Sequence, residues 1–278
     1  MKPTSPVAPH SSADRLGRPP AFPGESAALV VAHPGHELRV YGWLGLTRPT
    51  VFVLTDGSGH SGRSRLSSTT KLGAEAGVGF GGIYGRFTDI DLYKAVLDRE
   101  FQVFTSLADE LTRELVEDEI AYVVGDAIEG YNPAHDVCRM VINAAVQLSK
   151  RRHGHEIANF DFLLVGNPSA GSEADWAICV TLEENTHRQK LAAAAAYTEL
   201  DRDVSRALGS FGADAFRVEY LRPVDNSSID AGLFDDPPFY EQYGEKQVSR
   251  GYYDRVLRHR QHMIPLSEAL NSYVEHRS

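Results

Sequence analysis

Residues Ala27–Glu37, AALVVAHPGHE, decide how the rest of the chain is read. The run Ala27 to Ala32 is apolar without alternation, as in a strand buried on both faces of a parallel sheet, and it stops abruptly at His33-Pro34-Gly35. In open parallel sheets ligands gather outside the carboxyl ends of the strands, where loops converge and helix N-termini point inward. The imidazoles of His33 and His36, with Glu37 beside them, therefore mark the first candidate site.

Further along, the same grammar repeats. Thr50 to Thr55 (TVFVLT) reads as a second buried strand, closed by Asp56-Gly57 and followed by a Gly/Ser loop and a helix from about Ser64 to Ala76. A long helical region is expected over Asp91 to Glu117, then a third apolar strand over Ile120 to Val124 that ends at Gly125-Asp126. Val137, Val141, Ala144, Ala145 and Leu148 recur at helical spacing, which predicts a helix over Ala134 to Lys150 with His135 in its first turn. Further strands are expected at Phe160 to Val165, Trp176 to Thr181 and Phe216 to Leu221. A helix from about Asn185 is striped by Tyr197, Leu200, Val204 and Leu208, and Phe239 to Ser278 reads as helical. Strands alternating with helices imply an α/β fold, a mostly parallel sheet flanked by helices. Residues 27–278 are read as one domain with a helical C-terminal extension. Residues 1–26, rich in proline and lacking both apolar periodicity and a signal-peptide core, are expected to form a disordered arm.

Composition narrows the partners. Of 278 residues, 42% are hydrophobic and 24% charged, which suits a soluble globular domain with a substantial core. A net charge of −10 argues against nucleic acid, because phosphate contacts need an excess of Lys and Arg. No apolar run reaches the roughly 18 residues that a bilayer span needs. Cys138 and Cys179 are too few for a disulfide framework, so a reducing, cytoplasmic setting is expected, with a small molecule as the partner.

Three strand-end clusters could carry chemistry: His33 to Glu37, Asp56-Gly57, and Asp126 to Asp136. Two contain histidines beside carboxylates, which is what a divalent transition metal needs, with zinc (Zn2+) the first guess and other divalent metals open. A lone loop histidine is more often solvated than a ligand, and His-x-x-His alone is a weak signal. Topology supplies the third imidazole, since His135 opens the helix after the third strand and faces the same crevice. His153 and His155 sit in a basic loop and read as surface residues. Asp56 before Gly57 suits an Asx-turn as well as a substrate contact. Arg63 and Arg65 read either as solvated cations or as holders of a sugar, carboxylate or phosphate. Tyr240, Tyr243, Tyr252 and Tyr253 are expected to pack the last helices.

These residues carry a family resemblance. VVAHPGHE resembles the VxAHPDDE signature of the PIG-L/LmbE-like N-acetylglucosaminyl deacetylases, zinc hydrolases with a Rossmann-like fold, and Glu129 to His135 (EGYNPAH) resembles their G-Y-x-HPDH element. Leu54 to Gly57 with Arg63 and Arg65 is similar to their substrate loop. The resemblance spans roughly 27–200 and implies a Rossmann-like sheet, metal ligands at His33, His36 and His135, and removal of an acyl group from an amide nitrogen of an amino sugar or related metabolite. His36 stands where the family has a metal aspartate, and Gly35 where it has its general base. Asn132 replaces an assisting histidine; its amide donates a hydrogen bond but transfers no proton. Glu37 matches the family's last acidic position, in a supporting role. Proton transfer is then expected to fall to Asp126 or Glu129, with Asp136 charging its helix N-terminus. The alternatives are a different metal-dependent reaction on the same scaffold, or a non-catalytic metal- or glycan-binding protein.

Overall fold

The computed structural model describes residues 25–168 and 178–276. The arm expected over 1–26 falls, apart from Glu25 and Ser26, outside these residues, as do Trp176, Ala177 and the last two positions. Strands β1 (Ala27–Val31), β2 (Thr50–Thr55), β3 (Gly79–Phe87), β4 (Tyr122–Asp126) and β5 (Ala158–Phe162) run parallel. Strands β6 (Ile178–Thr181) and β7 (Val218–Pro223) complete the sheet, β7 lying antiparallel to both β5 and β6. The order is β3-β2-β1-β4-β5-β7-β6. The chain winds outward from β1 to β3, then crosses back to β4 beside β1. The switch point of this α/β sheet thus lies between β1 and β4, where the loops after both strands open onto one crevice.

The unbroken apolar runs are explained by burial on both faces. Ala28, Val30, Phe52, Leu54 and Val123 point into one core, with helices α3 (Asp89–Leu97), α4 (Phe101–Glu117), α5 (Pro133–His153) and α9 (Ile264–His276). Leu29, Val31, Val51, Val53 and Val124 point into the other, with α1 (Tyr41–Thr47) and α2 (Leu66–Ala76). Successive strand side chains alternate between faces, so only a continuously apolar strand satisfies both layers. No helix among the described residues is long and apolar enough to cross a membrane.

The structure departs from the sequence expectations at several boundaries. Strand β3, GFGGIYGRF, carries too many glycines to read as a strand, yet one of them is required: a Cβ on Gly81 would lie 2.0 Å from the Phe52 ring. The helical region over 91–117 is two helices, interrupted at Arg99, whose φ is +57°. Strand β5 ends before Leu164 and Val165, because their amides donate to the Glu129 carboxylate instead of a neighbouring strand. The helix from Asn185 is likewise two, α6 (Glu184–Ala196) and α7 (Asp201–Phe211), parted by a turn at Tyr197–Leu200. The C-terminal region is α8 (Phe239–Ser249), a non-helical stretch, and a π-turn leading into α9. Tyr240 is buried in the core as expected, while Tyr252 is exposed.

Candidate metal centre

Strand β1 ends in a tight turn. Gly35 adopts φ +105°, open to glycine but strained for other residues, and a 3-10 turn over His36–Val40 follows. On the far side of the switch point, Asn132 caps α5 by accepting the Ala134 amide at 3.0 Å, Pro133 takes the first helical position, and His135 follows in the first turn. The two loops bring His33, His36 and His135 together: ring centroids lie 4.6 to 5.2 Å apart, and one nitrogen from each falls within 4.8 Å of the others.

Hydrogen-bond logic sets the tautomers. His33 Nδ1 lies 2.8 Å from Thr55 Oγ1 and 3.0 Å from Asp89 Oδ1. Thr55 already donates its hydroxyl proton to Ala32 O at 3.0 Å, and a carboxylate only accepts, so His33 Nδ1 carries the hydrogen and Nε2 the lone pair. Asn132, its oxygen held by the Ala134 amide, turns its NH2 toward that lone pair at 3.2 Å. His36 Nδ1 stands 3.0 Å from both Asp126 oxygens, which leaves its Nε2 free in the same way. His135 Nδ1 is buried with no hydrogen-bond partner among the described residues.

This donor set fits a divalent transition metal. Two imidazoles are backed by carboxylates, the arrangement that orients histidine ligands and raises their basicity. The third presents an unpartnered nitrogen in the interior. Burial holds His135 well below its usual value, with the charges of His36 and His33 acting in the same sense, and burial also lowers His36 despite the opposing Asp126 charge. Both rings are thus neutral, as ligands must be. For Asp89, burial acts to raise the carboxyl, but the bond from His33 and the Gly59 amide at 2.6 Å hold it well below the carboxylate range.

The carboxylates proposed from sequence are all engaged. Asp126 is fully buried; besides His36 it accepts the Ala32 amide at 2.8 Å, and the guanidinium of the buried Arg139 reaches its backbone carbonyl at 2.6 Å. Glu129 accepts Leu164 N at 2.9 Å and Val165 N at 3.0 Å. Glu37 accepts the Gly35 amide and the Thr69 hydroxyl, both at 2.7 Å, and burial raises its carboxyl. Asp136 accepts the amides of Glu129 and Gly130 at 3.1 and 3.3 Å, bracing the loop that carries Asn132.

In the loop after β2, Asp56 Oδ1 accepts the Ser58 amide at 2.9 Å, an Asx-turn. Arg65 donates from Nε to Gly57 O at 2.6 Å, and its charge acts on His36, Glu37 and His135. Arg63 is exposed.

Two features lay outside the sequence reading. Asp89 follows β3 and was hidden with it; Thr88, which caps α3 by accepting the Asp91 amide, is the local signal that could have found it. The other is the space beside Gly35, which reads as vacant in sequence but is filled: a Cβ there would lie 2.3 Å from Leu200 Cδ1 and 3.6 Å from Tyr197 Cζ. Tyr197 is locked in place, its hydroxyl 2.9 Å from Thr69 Oγ1 and donating to Arg65 O at 3.2 Å.

No protein-family model and no curated protein matches the sequence. Among solved structures, the chain is similar to a zinc-inhibited form of a teicoplanin deacetylase, with 13% identity, TM-score 0.46, and 73% of this chain aligned to 100% of that one. It is similar to the A40926 pseudoaglycone deacetylase, with 15% identity, TM-score 0.46, and 75% of this chain aligned to 100% of that one. A conserved protein from Thermus thermophilus aligns over 76% of this chain and 97% of its own, with 18% identity and TM-score 0.45.

Proposed function

We propose that the chain is a metal-dependent hydrolase that removes an acyl group from the amide nitrogen of an amino sugar or a related small metabolite. The observation that carries this reading is the convergence of His33, His36 and His135 at the switch point, two of them backed by Asp89 and Asp126. A divalent ion held by these imidazoles, zinc first, would supply the Lewis acidity that polarises an amide carbonyl and makes water acidic enough to attack it. In the balanced reaction the water oxygen bonds to the carbonyl carbon and the C–N bond breaks. Both water protons end on the departing amine, which leaves as an ammonium beside a carboxylate.

The chain's own groups divide the work. Asp89 and Asp126 hold the ligand tautomers, Arg139 holds the end of β4, and Asn132 offers an N–H to the carbonyl oxygen as charge develops there. Arg65 places positive charge at the crevice. Asp126 is engaged with His36 and Glu129 with the start of the loop after β5, so either would have to give up those bonds to take a proton. General-base assistance is worth about 10²–10⁴ in rate, and turnover should be lower by that order than in a site with a positioned base.

A second reading, a non-catalytic metal- or glycan-binding protein, draws on Leu200 and Tyr197 filling the space beside Gly35. A different metal-dependent reaction on the same scaffold is the third. Acetate release from N-acetylglucosamine by protein loaded with zinc, cobalt or iron separates them. Slow turnover that His135→Ala abolishes is expected. Gly35→Asp combined with Leu200→Ala should raise it, whereas Gly35→Asp alone meets Leu200 and a strained φ. Stoichiometric metal with no turnover in any of these proteins would favour the binding reading.

A further inference from the structure

An aromatic stack grows from the loop that carries Asn132, whose amide lies 3.2 Å from His33 Nε2. Tyr131 immediately precedes Asn132, and its ring lies 4.7 Å from that of Phe239 with the planes only 6° apart. The stack continues to Tyr243 at 6.0 Å and 27°. Its members come from distant parts of the chain, the loop after β4 and helix α8, and the junction is built. The Tyr240 amide donates to Gly130 O at 3.3 Å, and a Cβ on Gly130 would lie 2.7 Å from Phe234 and 2.9 Å from Pro238. Despite this fixed seating the rings stay open to water: Tyr131 is 36%, Phe239 47% and Tyr243 39% exposed.

The chemistry of the surroundings narrows the occupant. Near-parallel, offset rings are the arrangement that a further flat ring extends, with a gain beyond simple area burial. Three polar side chains of α8, Glu241, Gln242 and Glu245, are already engaged. Arg258 holds Glu241 at 2.8 Å and Glu245 at 2.9 Å, and Gln242 donates to Pro237 O at 2.6 Å. An anionic group would also meet Asp235 and Asp236, both exposed just ahead of Phe239. We propose that Tyr131, Phe239 and Tyr243 form a subsite for an uncharged aromatic ring carried by the substrate, stacked on the platform while the amide lies at the metal centre. The inference rests on the hydrolase reading for where the amide lies, and on the stack alone for the preference for an aromatic ring.

Binding of the phenyl, cyclohexyl and methyl glycosides of N-acetylglucosamine to the full chain, followed by calorimetry and saturation-transfer NMR, tests it without relying on turnover. The phenyl glycoside should bind about 3- to 10-fold more tightly than the other two. That advantage should vanish in Tyr131→Ala and Phe239→Ala and persist in Phe239→Trp. Because the mutated rings also pack on one another, melting profiles are recorded beside the binding curves, and Phe239→Trp, which keeps a flat ring in place, separates loss of the platform from loss of folding. Equal affinities for the three glycosides, or no binding of any, overturn the platform, as does a cyclohexyl glycoside that binds as well as the phenyl one. If acetate is released with the same KM from phenyl and methyl glycosides, the hydrolase reading stands and the platform falls. A ring-dependent phenyl preference in a protein that hydrolyses neither supports the platform and removes the hydrolase.

Discussion

The loops after β1 and β4 differ from the loop after β2 in how their polar groups are held. In the first pair the ligand histidines and acids lean on buried neighbours, His33 on Thr55 and Asp89, His36 on Asp126, and Asp126 on the Ala32 amide, while His135 Nδ1 is left without a partner among the described residues. The loop over 56–65 is instead held mostly by its own backbone and turn bonds, among them the Asx-turn at Asp56, Arg65 N to Asp56 O and Arg65 Nε to Gly57 O, with the Gly59 amide tied to Asp89 and Arg63 exposed. A metal centre needs ligands fixed to within a fraction of an ångström, which only packed second partners provide, whereas a recognition loop tolerates and uses freedom. The difference teaches that substitutions in the first pair should act through metal, and those in the second through small local effects.

The largest expected effect is on the ligands themselves. Protein purified without chelator should carry about one transition metal per chain, since a catalytic zinc site takes about three protein ligands. His135→Ala and His33→Ala should each reduce it to near zero by elemental analysis. Full retention of metal in both would break the comparison at its root.

One step smaller is the backing carboxylate. Asp126→Asn removes the charge behind His36 and should weaken metal binding about 10- to 100-fold in a competition titration. Glu129→Gln, whose carboxylate faces Leu164 and Val165 instead, should leave that affinity unchanged. Equal losses in both variants would show that the two acids share one role.

Glu129 should reveal itself through pH instead. Burial pushes its carboxyl up to about 7, from 4.5 for a free side chain, outweighing the Leu164 and Val165 amides. The folded state therefore holds that proton more tightly than the unfolded state. The resulting stability is fully present below about pH 4.5 and is lost as pH rises through about 7, a change of roughly 3 kcal/mol at most. Urea melts of Glu129→Gln should show a flatter profile across that window, and a profile parallel to wild type would rule this contribution out.

The smallest effects belong to the open loop. Arg65→Ala loses the bond to Gly57 O and should cost about 1 kcal/mol in a thermal melt. Arg63→Ala should stay within about 0.5 kcal/mol of wild type. A larger cost for Arg63 would mean that this loop is as tightly built as the metal centre.

What the sequence determined by itself is local in origin. Unbroken apolar runs ending in His33-Pro34-Gly35 and Gly125-Asp126 specify strands buried on both faces, and the helical stripe from Val137 to Leu148 places His135 in a first turn beside them. Because strand-end loops in a parallel sheet share one crevice, the joining of three imidazoles across about a hundred residues was legible in advance. Glycine-rich β3 was not, since Gly81 is required by the Phe52 ring packed against it, and a packing partner leaves no periodic trace. With β3 went Asp89, the carboxylate behind His33. The tertiary structure alone decided which acids are free. Asp126, Glu129 and Glu37 look equivalent as strand-end carboxylates, yet each is claimed by a different neighbour, the His36 ring, the amides after β5 and the Thr69 hydroxyl. It also decided that Leu200, from a turn 165 positions away, fills the space beside Gly35. Periodicity and spacing record which face a residue presents; what meets that face depends on where the whole chain folds, and that is a property of packing.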